Sequence, residues 1–325
     1  MTVSLLIPSF GRPDMLYQCL SHIVAQVRLP DEIIVCVRDE DLETRQIVQQ
    51  FEGLALRIAV TNQTGVVAAM NTGLTLTSGD IVALLDDDAL PRRDWLNRIV
   101  STFAKSDSIA GVGGLDVQEN PDQKNTGAGD LPVGTFTSYG RLHGNHHLGS
   151  GPARRVHVLK GCNCAYRGDF LRRVRFDTQL RGAGAQVGWE ISLGLEIIKA
   201  GGALIYDPLI VVDHKIAPRL DDDGIHRGTY GSDAAFNVAW NHFSIIRRKA
   251  PHGLRMRVFF WELLVGSPAA PGVLRIADRR IGSFGERLRR IGVTIRAFSA
   301  AQRRVPIKTG SSARNDSVSR EIRVL

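Results

Sequence analysis

The chain of 325 residues contains no run of about 18 uninterrupted apolar residues, so a membrane-spanning helix is not expected. Its first residues, Met1-Thr2-Val3-Ser4, pass straight into a strand-like stretch without a basic segment ahead of an apolar one. No secretory leader is therefore expected, and the cytoplasm is the default setting. Cysteine is scarce: Cys19, Cys36, Cys162 and Cys164 are the only four. One residue separates the last two and no matching pair exists, which is poor spacing for zinc. Reduced, buried thiols are the expectation. There is no internal repeat. At 43% hydrophobic and 23% charged residues the composition excludes a disordered or fibrous chain. The length suits one large α/β domain with extensions or two modest domains. The formal net charge of +8 favours anionic partners, whether nucleotide phosphates, nucleic acid or an acidic lipid surface.

What is present is an alternation of short apolar runs and helical patterns. Val3-Ser4-Leu5-Leu6-Ile7-Pro8 reads as a buried parallel strand closed by proline. Leu16, Leu20, Ile23 and Val24 follow at helical spacing. Strands are expected over 32–37, 56–60 and 80–85, with helices over 42–51 and from Gly65 through Asn71. Such alternation implies βαβ units and a mostly parallel sheet, which binds ligands at the carboxyl ends of its strands. Pro8, Asp39 and Asp86-Asp87-Asp88 all fall at such ends.

The acidic triplet carries the chemistry. Three consecutive carboxylates after a buried strand repel one another unless positive charge sits among them. A divalent cation bridging a diphosphate removes the repulsion, and magnesium or manganese is commonly held by one or two carboxylates plus phosphate oxygens. A solvated acidic turn is the plain alternative. The stretch from Asn62 to Gly73 is rich in small residues, which admit a ligand close to the helix and place Asn71 to touch a sugar or ribose; ordinary helix–sheet packing favours the same residues.

Taken in order, these motifs resemble glycosyltransferase family 2 with its GT-A, Rossmann-like fold. The matching segments are Ile7-Pro8-Ser9-Phe10, Arg38-Asp39-Glu40-Asp41, the Asn/Gly/Ala/Asn/Gly helix, and Asp86-Asp87-Asp88 as the Asp-x-Asp element. Gly161-Cys162-Asn163-Cys164-Ala165-Tyr166-Arg167, Gly188-Trp189-Glu190 with Leu193-Gly194-Leu195, and Asp213-His214 complete the set, which spans roughly residues 3–250. The resemblance implies a nucleotide-diphosphate sugar donor, an acceptor hydroxyl on a saccharide or lipid-linked molecule, and inversion at the anomeric carbon. It places Pro8, Ser9, Phe10, Arg12, Asp39, Asn71, Asp86 and Asp87 against the donor. It makes Asp88 and His214 ligands of Mn²⁺ or Mg²⁺. Glu190 falls on the position of the general base, and Trp189 offers a flat face for an acceptor sugar. Arg38 ahead of Asp39, and an acidic pair after it, depart from the usual Asp-Gly-Ser and leave the nucleobase open.

The resemblance divides the chain into a catalytic domain over 1–232, with a donor half of about 1–118 and an acceptor half of about 119–232. A basic helical extension over 233–304 and a disordered tail over 305–325 follow. Residues 119–152 read as a long loop, functional or disordered, in which His143, His146 and His147 fit a mobile acceptor loop or solvent exposure better than a metal site. Asp221-Asp222-Asp223-Gly224 reads as a turn or flexible lid, while Lys160 and Arg167 are weak phosphate candidates. In the extension, arginines alternate with apolar and aromatic residues. That pattern fits either a basic amphipathic surface at the inner face of the plasma membrane or helices packed on the catalytic domain or on a second subunit. Nucleic acid is not expected, because no recognition module is present. Two other functions compete: a sugar nucleotidyltransferase, which would carry a Gly-rich loop with Arg and Lys after the first strand, and a non-catalytic scaffold.

Overall fold

A computed structural model describes residues 1–51, 53–118, 131–215 and 231–303. In chain order the elements begin β1 (Val3–Pro8), α1 (Pro13–Val24), β2 (Glu32–Arg38), α2 (Leu42–Val48) and β3 (Leu56–Thr61). There follow α3 (Val66–Leu74), β4 (Ile81–Leu85), β5 (Ala89–Pro91), α4 (Trp95–Phe103) and β6 (Ile109–Gln118). The hairpin strands β7 (Thr135–Phe136) and β8 (Leu142–His143) precede β9 (Arg154–Val156), β10 (Asn163–Arg167) and α5 (Gly168–Val174). The last elements are α6 (Trp189–Lys199), β11 (Ala203–His214), α7 (Ser232–Lys249), α8 (His252–Leu264) and α9 (Phe284–Gln302). The second acidic triplet, Asp221-Asp222-Asp223, and the expected tail lie outside the described residues.

Strand β1 is apolar except for Ser4, whose hydroxyl is hydrogen-bonded to Glu32 and the Gly79 N–H, because helices cover both faces of the sheet. Val3, Leu5 and Ile7 join the core beneath α1 and α4, and Leu6 joins Ile34 and Cys36 on the opposite side. In α1, Pro13 sits where the missing N–H costs nothing, and Leu16, Cys19, Leu20 and Ile23 are buried. Val24, expected on that face, is half exposed at the helix end.

One sheet runs in the order β3-β2-β1-β4-β10-β6-β11-β5, with β9 added on β11. The four strands from β3 to β4 are parallel, as anticipated. Beyond β4 the sheet is mixed: β10 runs antiparallel to β4 and β6, and β5 and β9 run antiparallel to β11. Strands buried on both faces carry the same apolar pattern in either direction, so this reversal left no periodic trace in the sequence.

Register positions the acidic triplet. Residues 86–88 leave β4 and lead directly into β5, whose Ala89 and Leu90 pair with His214 and Asp213 at the end of β11. The same end of β11 pairs in parallel with β6, setting Asp116 opposite Val212 and Gln118 opposite His214. The carboxyl ends of β1, β4, β6 and β11 thus converge.

The core crosses the expected boundary at residue 232. Trp240, Phe243, Ile245 and Ile246 of α7 share one buried cluster with Tyr166, Trp189 and Leu204 of the sheet side. Asn241, fully buried, donates to the carbonyls of Arg181 and Val187 and accepts from the Arg181 N–H. Among the described residues, no helix is long and apolar enough to cross a membrane.

Candidate active site

The loop after β1 reaches the triplet first. Ser9 Oγ donates to Asp87 Oδ2 at 2.8 Å, and Arg12 Nη1 lies 3.0 Å from Asp87 Oδ1 and 3.4 Å from Asp88 Oδ2. The protein therefore supplies part of the positive charge that the triplet needs, through Arg12, a residue expected against the donor. On the other side, His214 bridges two buried carboxylates. Its Nε2 lies 3.0 Å from Asp88 Oδ1 and its Nδ1 lies 2.9 Å from Asp116 Oδ1.

Burial pushes the Asp86 carboxyl up to about 7, with Asp88 and Asp87 adding to the rise against His214 and Lys160. Burial likewise pushes Asp87 up to about 6, with Asp88 adding and Arg12 and Ser9 opposing. For Asp116, burial works upward but the hydrogen bond and charge of His214, then Lys160, hold it below the ordinary range. The His214 imidazole, although burial disfavours its charge, is raised by its hydrogen bonds to Asp116 and Asp88. Burial pushes the nearby Cys162 thiol up to about 12, so it is present as the thiol.

These groups fit a divalent cation. Ligand atoms of Asp86, Asp88 and His214 lie within 4.8 Å of one another, as do those of Asp116, Cys162 and His214. The hard oxygen donors of the first set suit Mg²⁺ or Mn²⁺ better than a neutral thiol does. Among the described residues, the carboxyls Asp86, Asp87, Asp88, Asp116 and Glu190 face Arg12, Lys160 and His214 as cations. That balance leaves negative charge in excess. A proton on Nδ1 toward Asp116 leaves the Nε2 lone pair of His214 for the ion.

Glu190 stands at the second residue of α6, whose N-cap Gly188 has φ 107°, a left-handed conformation that glycine adopts without strain. Burial raises its carboxyl; Lys160 and the backbone N–H groups of Glu190, Gly161 and Gly188 oppose the rise. Lys160 is itself held protonated: burial disfavours its charge, but the carboxyls of Glu190, Asp116 and Asp86 outweigh that. Glu190, Lys160 and Asp116 line a cavity of about 340 Å³ together with Gln118, His146 and His147. The 131–152 part of the long loop supplies much of its wall. A larger cavity of about 700 Å³ lies between α6, α7 and α8 and contains none of the acidic groups of the triplet.

At the outer edge, Phe10 is exposed beneath the Arg38 guanidinium at 4.6 Å. Asp39, at the end of β2, is exposed and held by Arg45 at 2.9 Å. Pro8 pairs with Cys36, so the loops after β1 and β2 leave the sheet at the same end.

Two expectations are corrected. Asn71 does not face the donor: its amide nitrogen donates to the Phe176 carbonyl and its oxygen accepts from the Phe176 N–H, both at 3.0 Å, so it fastens a loop to α3. Trp189 offers no open face to a sugar. It is 6% exposed, meets Phe176 edge-on, and packs so closely on Gly161 that a Cβ there would strike its ring. An aromatic ahead of Glu190 reads alike in the sequence whether it points into the cleft or the core. Arg167 is also structural, donating to the carbonyls of Phe103, Ser106 and Ile109. His146 is a buried residue within 3.0 Å of the Val158 carbonyl, its ring pushed down to about 4 by burial. Sequence reasoning missed Asp116. Its signal was a lone acid late in an apolar strand, Ile109–Gln118, fainter than the triplet that follows β4.

Residues 4–173, just over half of the chain, match the family described as glycosyl transferase family 2. The chain is 35% identical over 107 residues to glycosyltransferase AglE of Haloferax volcanii, covering 31% of this chain and 35% of that protein. It is 30% identical over 180 residues to the pre-mycofactocin glycosyltransferase of Mycobacterium tuberculosis, covering 53% of this chain and 34% of that protein. The chain thus spans about a third of the length of these relatives. Among solved structures, it resembles the mannosyltransferase PcManGT of Pyrobaculum calidifontis in complex with GDP-Man and Mn²⁺. That match has a TM-score of 0.56 at 18% identity and covers 92% of this chain and 85% of the other. It also resembles S. aureus TarS 1–349 in complex with UDP-GlcNAc, with a TM-score of 0.59 at 13% identity, covering 92% and 91%. These two likenesses concern the fold, the GT-A arrangement.

Proposed function

The chain belongs to glycosyltransferase family 2, and from that premise we propose that it transfers a sugar from a nucleotide-diphosphate donor to an acceptor hydroxyl with inversion. The observation that carries the reading is the adjacency of two features. The Asp86, Asp88 and His214 ligand atoms lie within 4.8 Å of one another, and Asp116 and Lys160 link them to a cavity lined by Glu190. The two similar structures are complexes with GDP-Man and with UDP-GlcNAc, which supports a nucleotide-sugar donor for this chain.

Asp86, Asp88 and His214 would hold Mn²⁺ or Mg²⁺, which supplies positive charge to the diphosphate as it leaves. Arg12 holds Asp87 and Asp88 in place. Glu190 accepts the proton of the acceptor hydroxyl as that oxygen bonds to the anomeric carbon, and the bond from that carbon to the diphosphate oxygen breaks on the opposite side. Its raised affinity for protons suits a base working near neutral pH. Lys160 keeps the base and Asp86 from repelling each other across the cleft. The cavity of about 340 Å³ fits an acceptor presented as a saccharide, with apolar walls on which Asp116, Gln118, Lys160 and Glu190 supply the groups that would hydrogen-bond its hydroxyls.

Calorimetry with UDP, GDP and dTDP, with and without Mn²⁺, tests the donor half of the reading. Metal-dependent binding of one nucleotide that disappears in Asp88→Ala is the expected outcome. Absence of binding to all three in either condition would overturn it.

A further inference from the structure

Residues 231–303 carry thirteen lysines and arginines against four aspartates and glutamates, a surplus of nine, while the surplus of the whole chain is eight. Residues 304–325 add a surplus of three and residues 1–230 carry a deficit of four, so the positive charge is concentrated in the C-terminal part of the chain. Large apolar side chains on the same elements face solvent. Met256, Phe260 and Leu264 of α8 recur every fourth residue and are exposed. On α9, Phe284, Leu288 and Ile295 recur at spacings of four and seven and are exposed in the same way. Both spacings put the side chains in one stripe of a helix. The short 3₁₀ turn Val273–Ala277 joins the two helices, with Leu274 62% exposed and Arg275 Nε bonded to the Val265 carbonyl at the end of α8. Beside these stripes the helices meet the core: Phe259 of α8 and Phe298 of α9 pack edge-on against each other and against Phe243, and Ile291, between Leu288 and Ile295, is buried.

Arginines border these stripes: Arg257 adjoins the α8 stripe, Arg296 adjoins the α9 stripe, and Arg279 lies in the turn between, all exposed. A second copy of the chain is a poor occupant, because a two-fold contact would bring this charge surplus against itself. An anionic lipid surface meets both features at once: the apolar side chains enter the acyl boundary and the guanidinium groups meet phosphates. We propose that α8, the 273–277 turn and α9 form a peripheral docking face for an anionic bilayer, so that the chain lies on a membrane rather than spanning it. The inference is independent of the transferase reading.

Cosedimentation of the full chain with vesicles of phosphatidylcholine, with and without phosphatidylglycerol, tests it. Binding is expected only to the anionic vesicles, weakening as salt is raised. The Phe260→Ser/Phe284→Ser and Arg279→Glu/Arg296→Glu variants are each expected to bind about tenfold or more weakly. Their melting temperatures should match the parent, which separates lost docking from lost folding. Equal binding to both vesicle types, or unchanged binding by the variants, overturns the proposal. So does a dimer, seen by sedimentation velocity, that Phe260→Ser/Phe284→Ser dissociates. Nucleotide binding is expected to be the same in all variants, so failure here and failure of the donor site are read separately.

Discussion

Asp116 touches none of the expected reacting groups, yet it decides what His214 can do. By taking Nδ1 it fixes the imidazole and turns Nε2 toward Asp88. Removing such a carboxylate partner typically costs about 10- to 100-fold in metal affinity. Asp116→Asn is therefore expected to raise the Mn²⁺ concentration needed for nucleotide binding by about that factor, while saturating Mn²⁺ restores binding. Glu190→Gln keeps the shape of the cavity but cannot take a proton. Transfer should slow by about 10²–10⁴-fold with nucleotide affinity unchanged, measured as donor turnover beside calorimetry. The buried acids also make stability depend on pH. Asp86 and Asp87 hold protons up to about 7 and about 6 in the folded chain, against about 3.9 when unfolded. Between about 4 and 7 the folded state binds more protons, so stability falls as pH rises. His214, also raised, acts in the same sense: its contribution is complete below about 6.5 and is lost above. A cation among these groups favours their ionised form, so Mn²⁺ should raise the melting temperature more at pH 7.5 than at pH 5; an equal rise at both would count against these acids as the site.

At the scale of elements, α3 shows how one segment can look like a ligand site and be a packing surface. A Cβ on Gly73 would run into the Cys36 sulfur and the Leu6 side chain, so the helix lies closer to the sheet than any larger residue permits. Gly73→Ala should cost about 1–3 kcal/mol of stability by overpacking, read from urea unfolding. Asn71→Ala should also lose about 1–3 kcal/mol, because it leaves both backbone groups of Phe176 without their partner. Nucleotide affinity unchanged in that variant would separate this anchoring role from the donor contact that the small-residue helix first suggested.

For the molecule as a whole, α7 is part of the catalytic body. Its Trp240, Phe243, Ile245 and Ile246 complete the core on one side of the sheet, and Asn241 is hydrogen-bonded to the 181–187 loop that leads into Glu190. Cutting the chain after residue 230 would open that core and free the loop. The shortened chain is expected to lose its cooperative thermal transition and its nucleotide binding together, rather than behave as an independent domain carrying an optional tail.

The amino-acid sequence by itself determined the family, the parallel first half of the sheet, and the placement of Pro8, Asp39 and Asp86-Asp87-Asp88 at strand ends. Each of these follows from local patterns: apolar runs of strand length, proline or acid at their ends, and a fixed order of short motifs. Tertiary structure decided what those patterns leave degenerate. A two-sided buried strand reads the same in either direction, which hid the antiparallel β10. Trp189 and Asn71 have the composition of ligand contacts, but the faces they present depend on Phe176, more than a hundred residues from Asn71. The pairing of His214 with Asp88 and Asp116 joins residues 126 and 98 positions apart. It exists because the register of β11 against β5 and β6 brings their ends to one point. No spacing along the chain records such a register.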